Sequence, residues 1–221
     1  MLVGVQTPTR PLPRGRHRLP REQVVSSQRT RMLRGMAEAM MDKGYVNTTV
    51  ADVIARAGVS RETFYQQFSS KADCFMAAFD AAAELLMGEI EAGTDLHLSA
   101  LVADDTRDLS TRLDQFDRAL ALYLDTLAEH PATARLFLVE VYAAGPDAVR
   151  RRMAVQRQIV DAVVTVLGVA PDDAAGRFSC EVLVAAVSTM VTEPLVSDDP
   201  TILRDLHEPL MALVRRTAEG G

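Results

Sequence analysis

Apolar residues along this 221-residue chain recur at intervals of three and four, and no stretch shows convincing period-two alternation with hairpin chemistry. From Pro20, placed for a first helical turn, Val24, Val25, Met32, Met36 and Met40 fall at helical spacing until Lys43, and Gly44 ends the run. Thr49 and Ser70 each precede an acid by three residues, Asp52 and Asp73, at the mouth of an apolar-periodic segment, which predicts two capped helix starts. Residues 71–92 carry Phe75, Phe79, Ala82, Leu86 and Ile90 on one stripe that stops at Gly93, and residues 94–109 have no clear period. Leu113, Phe116, Leu120, Tyr123 and Leu127 form the next stripe, closed at the His130-Pro131 step. Pro131 opens a helix predicted to reach Ala143. A further one over 147–167 carries Val149, Met153, Val160, Val163 and Leu167 and ends at Gly168. Pro171 and Pro200 predict helices near 171–193 and 200–218, and Pro209 inside the last one should kink or break it. The predicted fold class is all-α, about nine helices.

The segment TTVADVIARAGVSRETFYQQFSSKADCF, from Thr48 to Phe75, carries the chemistry. Val50, Val53, Ile54 and Ala57 give a two-turn helix one buried face, Gly58 sits where a positive φ is cheap, and Val59 plugs the turn. Ser60 can cap a second short helix in which Phe64 and Phe68 face the core. Arg61, Glu62, Thr63, Tyr65, Gln66 and Gln67 are then left outward. Two short helices joined by a tight glycine turn, the second displaying hydrogen-bonding side chains, form the arrangement that fits a DNA major groove.

A net charge of −6 argues against a nucleic-acid partner until it is divided along the chain. Residues 1–75 hold twelve Lys/Arg against six Asp/Glu, a net of +6, so the remainder carries −12. A basic first third on an acidic remainder suits a polyanion partner for the former alone. Residues 1–19, rich in Pro and Arg, are predicted to be a disordered basic arm whose Arg14, Arg16 and Arg18 can reach a neighbouring minor groove or remain a solvated tail. No signal peptide is visible and no uninterrupted apolar run approaches the roughly 18 to 20 residues of a bilayer span, so no membrane partner and a cytoplasmic location are expected. Cys74 and Cys180 lie far apart without companion ligands and read as reduced, buried thiols.

Catalytic signatures are missing: no nucleophile elbow, no glycine-rich phosphate loop, no HExxH. Asp104 with Asp105 and Asp172 with Asp173 sit beside helix starts, where capping accounts for them. His97, His130 and His207 are scattered, so neither a metal nor a cofactor is expected, and the chain is not read as an enzyme.

The string AGVSRETFYQQFSSK resembles the DNA-binding signature of the TetR/AcrR family of transcriptional regulators, which follows a Thr-capped helix and runs AGVS-x-x-T-hydrophobic-Tyr-x-x-Phe-x-x-Lys. Residues 28–75 carry the match, and beyond them helix order and length agree. The resemblance implies an N-terminal three-helix helix-turn-helix DNA-binding domain over 20–70 and a C-terminal helical ligand-binding and dimerisation domain over 71–221. Carried over, it implies that Thr49 and Lys71 grip phosphates and that Tyr65 adds a hydroxyl. Arg61, Thr63, Gln66 and Gln67, with the capping Ser60 beside them, approach base edges. Glu62 departs from the small residue or Pro usual there, and its charge is a liability near phosphate. The family's enclosed apolar cavity nominates Leu86, Phe116, Leu120, Tyr123, Phe137 and Phe178 as walls, with Glu140 as polar anchor. The implied function is a dimeric regulator, a repressor by default, on a double-stranded pseudopalindromic operator, released by a largely apolar small-molecule effector. Its homodimer forms through the helices near 171–193 and 200–218. The rivals are a helical small-ligand carrier without operator recognition and an enzyme on a helical bundle.

Overall fold

The computed structural model of this protein describes residues 21–94, 108–197, 199 and 201–219. Every regular element among them is helical. The elements are α1 (Arg21–Asn47), α2 (Val50–Ala57), α3 (Arg61–Gln67), α4 (Lys71–Gly93), α5 (Leu109–Glu129), α6 (Pro131–Leu138), a 3₁₀ turn (Glu140–Tyr142), α7 (Pro146–Leu167), α8 (Ala174–Met190), α9 (Thr192–Val196), α10 (Ile202–Asp205) and α11 (His207–Glu219). Nine of the α-helices have seven residues or more, as the periodicity predicts, and α9 and α10 are single turns. The basic arm and most of the unpatterned stretch 94–109 lie outside the described residues.

Local chemistry sets the element boundaries. Gly44, at φ 72° and ψ 165°, breaks the helical path of α1, and Thr48 closes the resulting turn by donating through both its N–H and its hydroxyl to the Gly44 carbonyl. Ser70, Asp108 and Asp173 cap α4, α5 and α8 with side-chain oxygens. Each satisfies a backbone N–H that the first helical turn leaves without a partner.

One apolar cluster runs the length of the molecule. Met32, Met36 and Met40 of α1, Phe64 and Phe68 of α3, and Phe75 and Phe79 of α4 are fully buried and continuous with Leu124, Leu127, Leu136, Phe137 and Met211. The ring of Tyr45 meets Phe75 edge-on at 5.2 Å, and Phe79 stacks on Phe137 at 4.9 Å. Helix α1 packs against α2, α4 and α6.

Three local expectations are corrected. Val24 and Val25 are exposed, so the packed part of α1 starts at Met32. The helix from Pro131 stops at Leu138 and tightens into the 3₁₀ turn instead of reaching Ala143. On α7 the buried residues are Ala148, Arg152, Val155, Val160 and Val166; of the expected set Val160 is among them, Val149, Val163 and Leu167 are half-buried, and Met153 is exposed. The expected break in the 200–218 helix is present: α10 ends at Asp205, the chain turns at Leu206, and Pro209 lies in the first turn of α11, where a missing N–H costs no helical hydrogen bond. Ala174–Val196, spanning α8 and α9, is long and apolar enough for a membrane span, with a mean hydropathy of 1.4 and 28% of that window buried, and it is interrupted by Arg177, Glu181 and Glu193.

Candidate nucleic-acid interface

Helices α2 and α3 are joined by Gly58 (φ 61°, ψ 43°), the left-handed conformation that spares glycine any steric cost. The turn is held from below: one Arg31 guanidinium nitrogen donates to the Ala57 carbonyl at 2.7 Å and lies 3.4 Å from that of Gly58. Two ion pairs, Lys43 with Asp52 and Arg56 with Asp42, tie α1 to α2. Thr49 and Asp52 form a reciprocal capping box at the start of α2, and Ser60 accepts from the Thr63 N–H at 3.0 Å at the start of α3.

Phe64 and Phe68 anchor α3 from its inner face, and the guanidinium of Arg29 covers the Phe68 ring at 4.7 Å. On the outer face Arg61, Glu62, Tyr65 and Gln66 are exposed, Tyr65 by 46%. Arg61 lies along the Tyr65 ring, its nitrogen 3.5 Å from the hydroxyl, and the Gln66 amide donates to Glu62 at 3.3 Å. Glu62 is thus held along its own helix by Gln66. Thr63 is half-buried with its hydroxyl 2.9 Å from that of Ser60, and the Gln67 amide points back to the Val25 carbonyl at 3.4 Å. The predicted face thus divides: Arg61, Tyr65 and Gln66 share one exposed surface, whereas Thr63 and Gln67 sit at its edges.

Exposed Thr49 and half-buried Lys71 both bond to neighbouring groups of the chain. The Thr49 hydroxyl donates to Asp52 Oδ2 at 2.7 Å while accepting the Asp52 N–H. The Lys71 ammonium donates to the Tyr45 carbonyl at 2.8 Å and sits 4.1 Å above the Tyr45 ring. Hydrogen bonds from Lys43 and then Thr49 hold the Asp52 carboxyl well below the ordinary carboxylate range. A depressed carboxylate contributes stability that is complete above the unfolded-state value near pH 4 and fades as pH falls below it. Thr49→Ala should therefore lower unfolding free energy by about 1 kcal/mol at pH 7. Urea unfolding at pH 7 and pH 3 should find the penalty smaller in acid.

The site also depends on residues that helical spacing does not single out. The Tyr45 N–H donates at 2.7 Å to Glu140, whose other oxygen accepts from Arg135 at 3.2 Å. Glu140 is buried and links the 3₁₀ turn to the end of α1, apart from the wall of the apolar cavity. A cavity of about 110 Å³ does lie among α4, α5, α7 and α8, with Phe116, Leu120 and Tyr123 in its wall beside Met87, Val163 and Val187. Leu86, Phe137 and Phe178 are not in that wall. Leu86 is buried elsewhere in the core, Phe137 stacks on Phe79, and Phe178 is 65% exposed on α8. Burial pushes the Cys74 thiol up to about 12 and raises that of Cys180, so both are protonated at neutral pH and act as small core residues.

Residues 33–78, from α1 into α4, match the model of the bacterial regulatory proteins of the tetR family. No curated protein matches the chain. Among solved structures it is similar to FadR from Bacillus subtilis in complex with stearoyl-CoA, at 16% identity and a TM-score of 0.65, over 83% of this chain and 96% of that one. It is likewise similar to a TetR-like transcriptional regulator from Rhodococcus, at 19% identity and a TM-score of 0.62, over 88% and 96%. SmeT, the repressor of the Stenotrophomonas maltophilia multidrug efflux pump SmeDEF, gives 18% identity and a TM-score of 0.61 over 83% and 86%. Residues 33–78 thus carry a helix-turn-helix that matches the tetR-family model, and the all-helical fold around it is shared with solved regulators of that family over most of the chain.

Proposed function

We propose that this chain is a sequence-specific, ligand-responsive repressor that binds a pseudopalindromic operator as a dimer. The observation that carries the reading is the outer face of α3, where Arg61, Tyr65 and Gln66 stand exposed while Phe64 and Phe68 are buried behind them. Arg suits the guanine O6/N7 pair and Gln the adenine N6/N7 pair, each good bidentate contact discriminating by about 1 to 3 kcal/mol. Thr63 and Gln67 flank that face. Phosphates meet the protein at the start of α2 beside Thr49 and at Lys71, which keeps two of its three ammonium donors after serving Tyr45.

Dimerisation is supported by α8, where Phe178, Val182, Ala185 and Thr189 form one exposed stripe at spacings of four, three and four. A second copy covering that stripe together with α11 would remove it from water and set the two α3 helices about 34 to 36 Å apart, one turn of DNA. The cavity walled by Phe116, Leu120 and Tyr123 is the place for a small-molecule effector, and a regulator of this kind works on cytoplasmic DNA.

The purified chain should select discrete genomic fragments and hold them against competitor DNA. Gln66→Ala should relax base preference at one position, and Lys71→Ala should weaken all sequences alike and lower the salt dependence of binding. Salt-sensitive, sequence-indifferent binding by the unmodified chain would identify a ligand carrier instead, and identical behaviour of the two variants would refute the division between base and phosphate contacts.

A further inference from the structure

Three consecutive arginines open α7, and two of them have carboxylates. Arg150 pairs with Asp147, and Arg151 with Asp80 at 2.7 Å. Arg152 is the most buried of the three, at 5% exposure, and no carboxylate among the described residues pairs with it. Among the described residues its one side-chain hydrogen bond runs from Nε to the Tyr142 hydroxyl at 3.2 Å, and the rings of Phe137 and Tyr142 lie 5.6 and 5.7 Å from the guanidinium carbon. A guanidinium carries five N–H donors, and a buried charge left without a counter-ion is a large energetic liability.

Arg152 faces a cleft. Together with Tyr142, Gln156, Ser188 and Thr192 it lines an open space of about 640 Å³ among α7, α8 and α9. The carboxylate in that lining, Glu193, is exposed and forms no ion pair with Arg152. Ser188 is also in the wall of the apolar 110 Å³ cavity, so a polar cleft and an apolar pocket share one side chain. Burial raises the Tyr123 phenol of that cavity to about 12, with the Arg152 charge acting in the opposite direction.

We propose that the effector of this chain is an amphipathic anion, its carboxylate or phosphate head held by Arg152 in the cleft and its short apolar tail passing Ser188 into the cavity. This rests on reading the later helices as an effector domain, and it gives the expected largely apolar ligand a charged head that supplies the missing counter-charge. The cavity is somewhat smaller than the roughly 150 Å³ space known to admit benzene, so the buried part is about one ring or a few methylenes.

Calorimetric titration of the full chain with octanoate, octyl phosphate, octan-1-ol and acetate tests this without DNA. At least one of the two amphipathic anions should bind about tenfold or more tighter than octan-1-ol, because charge-assisted hydrogen bonds are the strong ones. The tighter of the two identifies the head group, and acetate, lacking a tail, should bind least. Arg152→Gln should reduce the anion to the affinity of the alcohol, and Arg152→Lys should restore part of the difference. Equal binding of alcohol and anions overturns the proposal, as does a preference that survives in Arg152→Gln or the absence of binding by every probe. Conversion of the dimer to monomer by Arg152→Gln with no head-group preference would instead assign the counter-charge to a second copy, since Ala185 and Thr189 of the cleft lie on the exposed α8 stripe. Failure of the regulator reading would appear separately, as lost fragment selection with octanoate binding intact.

Discussion

Phe64→Ala should abolish operator binding and cost about 3 to 5 kcal/mol of stability in the helix-turn-helix, the range for truncating a buried phenylalanine. Helix α3 has seven residues, far fewer than the ~12 to 15 that an isolated helix needs to be even marginally stable in water. What fixes it is side-chain burial: the Phe64 ring is fully enclosed, tilted against Phe68 at 5.5 Å and meeting Tyr65 edge-on at 5.4 Å. Removing that ring takes away half of the anchor and one wall of the Tyr65 environment, whereas the caps at Ser60 and Ser70 together contribute only about 1 to 2 kcal/mol. Chemical unfolding followed by hydrogen exchange should find the loss concentrated in residues 50–70, with α5 and α7 protected as before. A variant that still gripped its operator with native affinity would show that the recognition surface does not depend on the inward phenylalanines.

The features legible in the sequence were those set by short-range chemistry. Thr49, Ser60 and Ser70 cap the helices that their spacing predicts, Gly44 and Gly58 end helices at positive φ, and the four-residue interval between Phe64 and Phe68 fixes which side of α3 faces out. Contacts between distant segments were not legible. Glu140 meets Tyr45 across 95 positions, and no pattern in either neighbourhood announces the pairing. Arg152 was hidden by its company, because a run of three arginines reads as a solvated patch. The signal that could have exposed it was there: Ala148, Arg152, Val155 and Ile159 follow spacings of four, three and four, which puts the last arginine of the run on the buried face. Phe178 failed as a cavity wall for a different reason. An aromatic side chain on an amphipathic helix can cover a cavity or another chain, and periodicity cannot distinguish the two.

Glu140→Ala should cost about 2 to 4 kcal/mol, because it removes a buried acceptor and strands the guanidinium that was paired with it. Arg135 is a half-buried partner that also donates to the Leu195 carbonyl at 3.3 Å, so its charge is not free to turn fully into water. Glu140 also holds the N–H of Tyr45, whose carbonyl is held by Lys71, so the end of α1, the start of α4 and the 3₁₀ turn are joined at one residue. The far end of that turn is Tyr142, which accepts from Arg152. An anion drawn to Arg152 thus acts one turn away from the link to the helix-turn-helix. The link is energetically sufficient, since a 5 to 150-fold effector response requires only about 1 to 3 kcal/mol of coupling. Glu140→Ala should therefore retain the α3 face and bind the operator, yet show the same operator affinity with and without octanoate. Both quantities come from one fluorescence titration of labelled operator at two octanoate concentrations, with a melting curve for stability. If the variant melts like the parent and still releases its operator to the anion, the response reaches α3 by another route, the continuous core from Phe137 through Phe79 to Phe75 being the remaining physical connection.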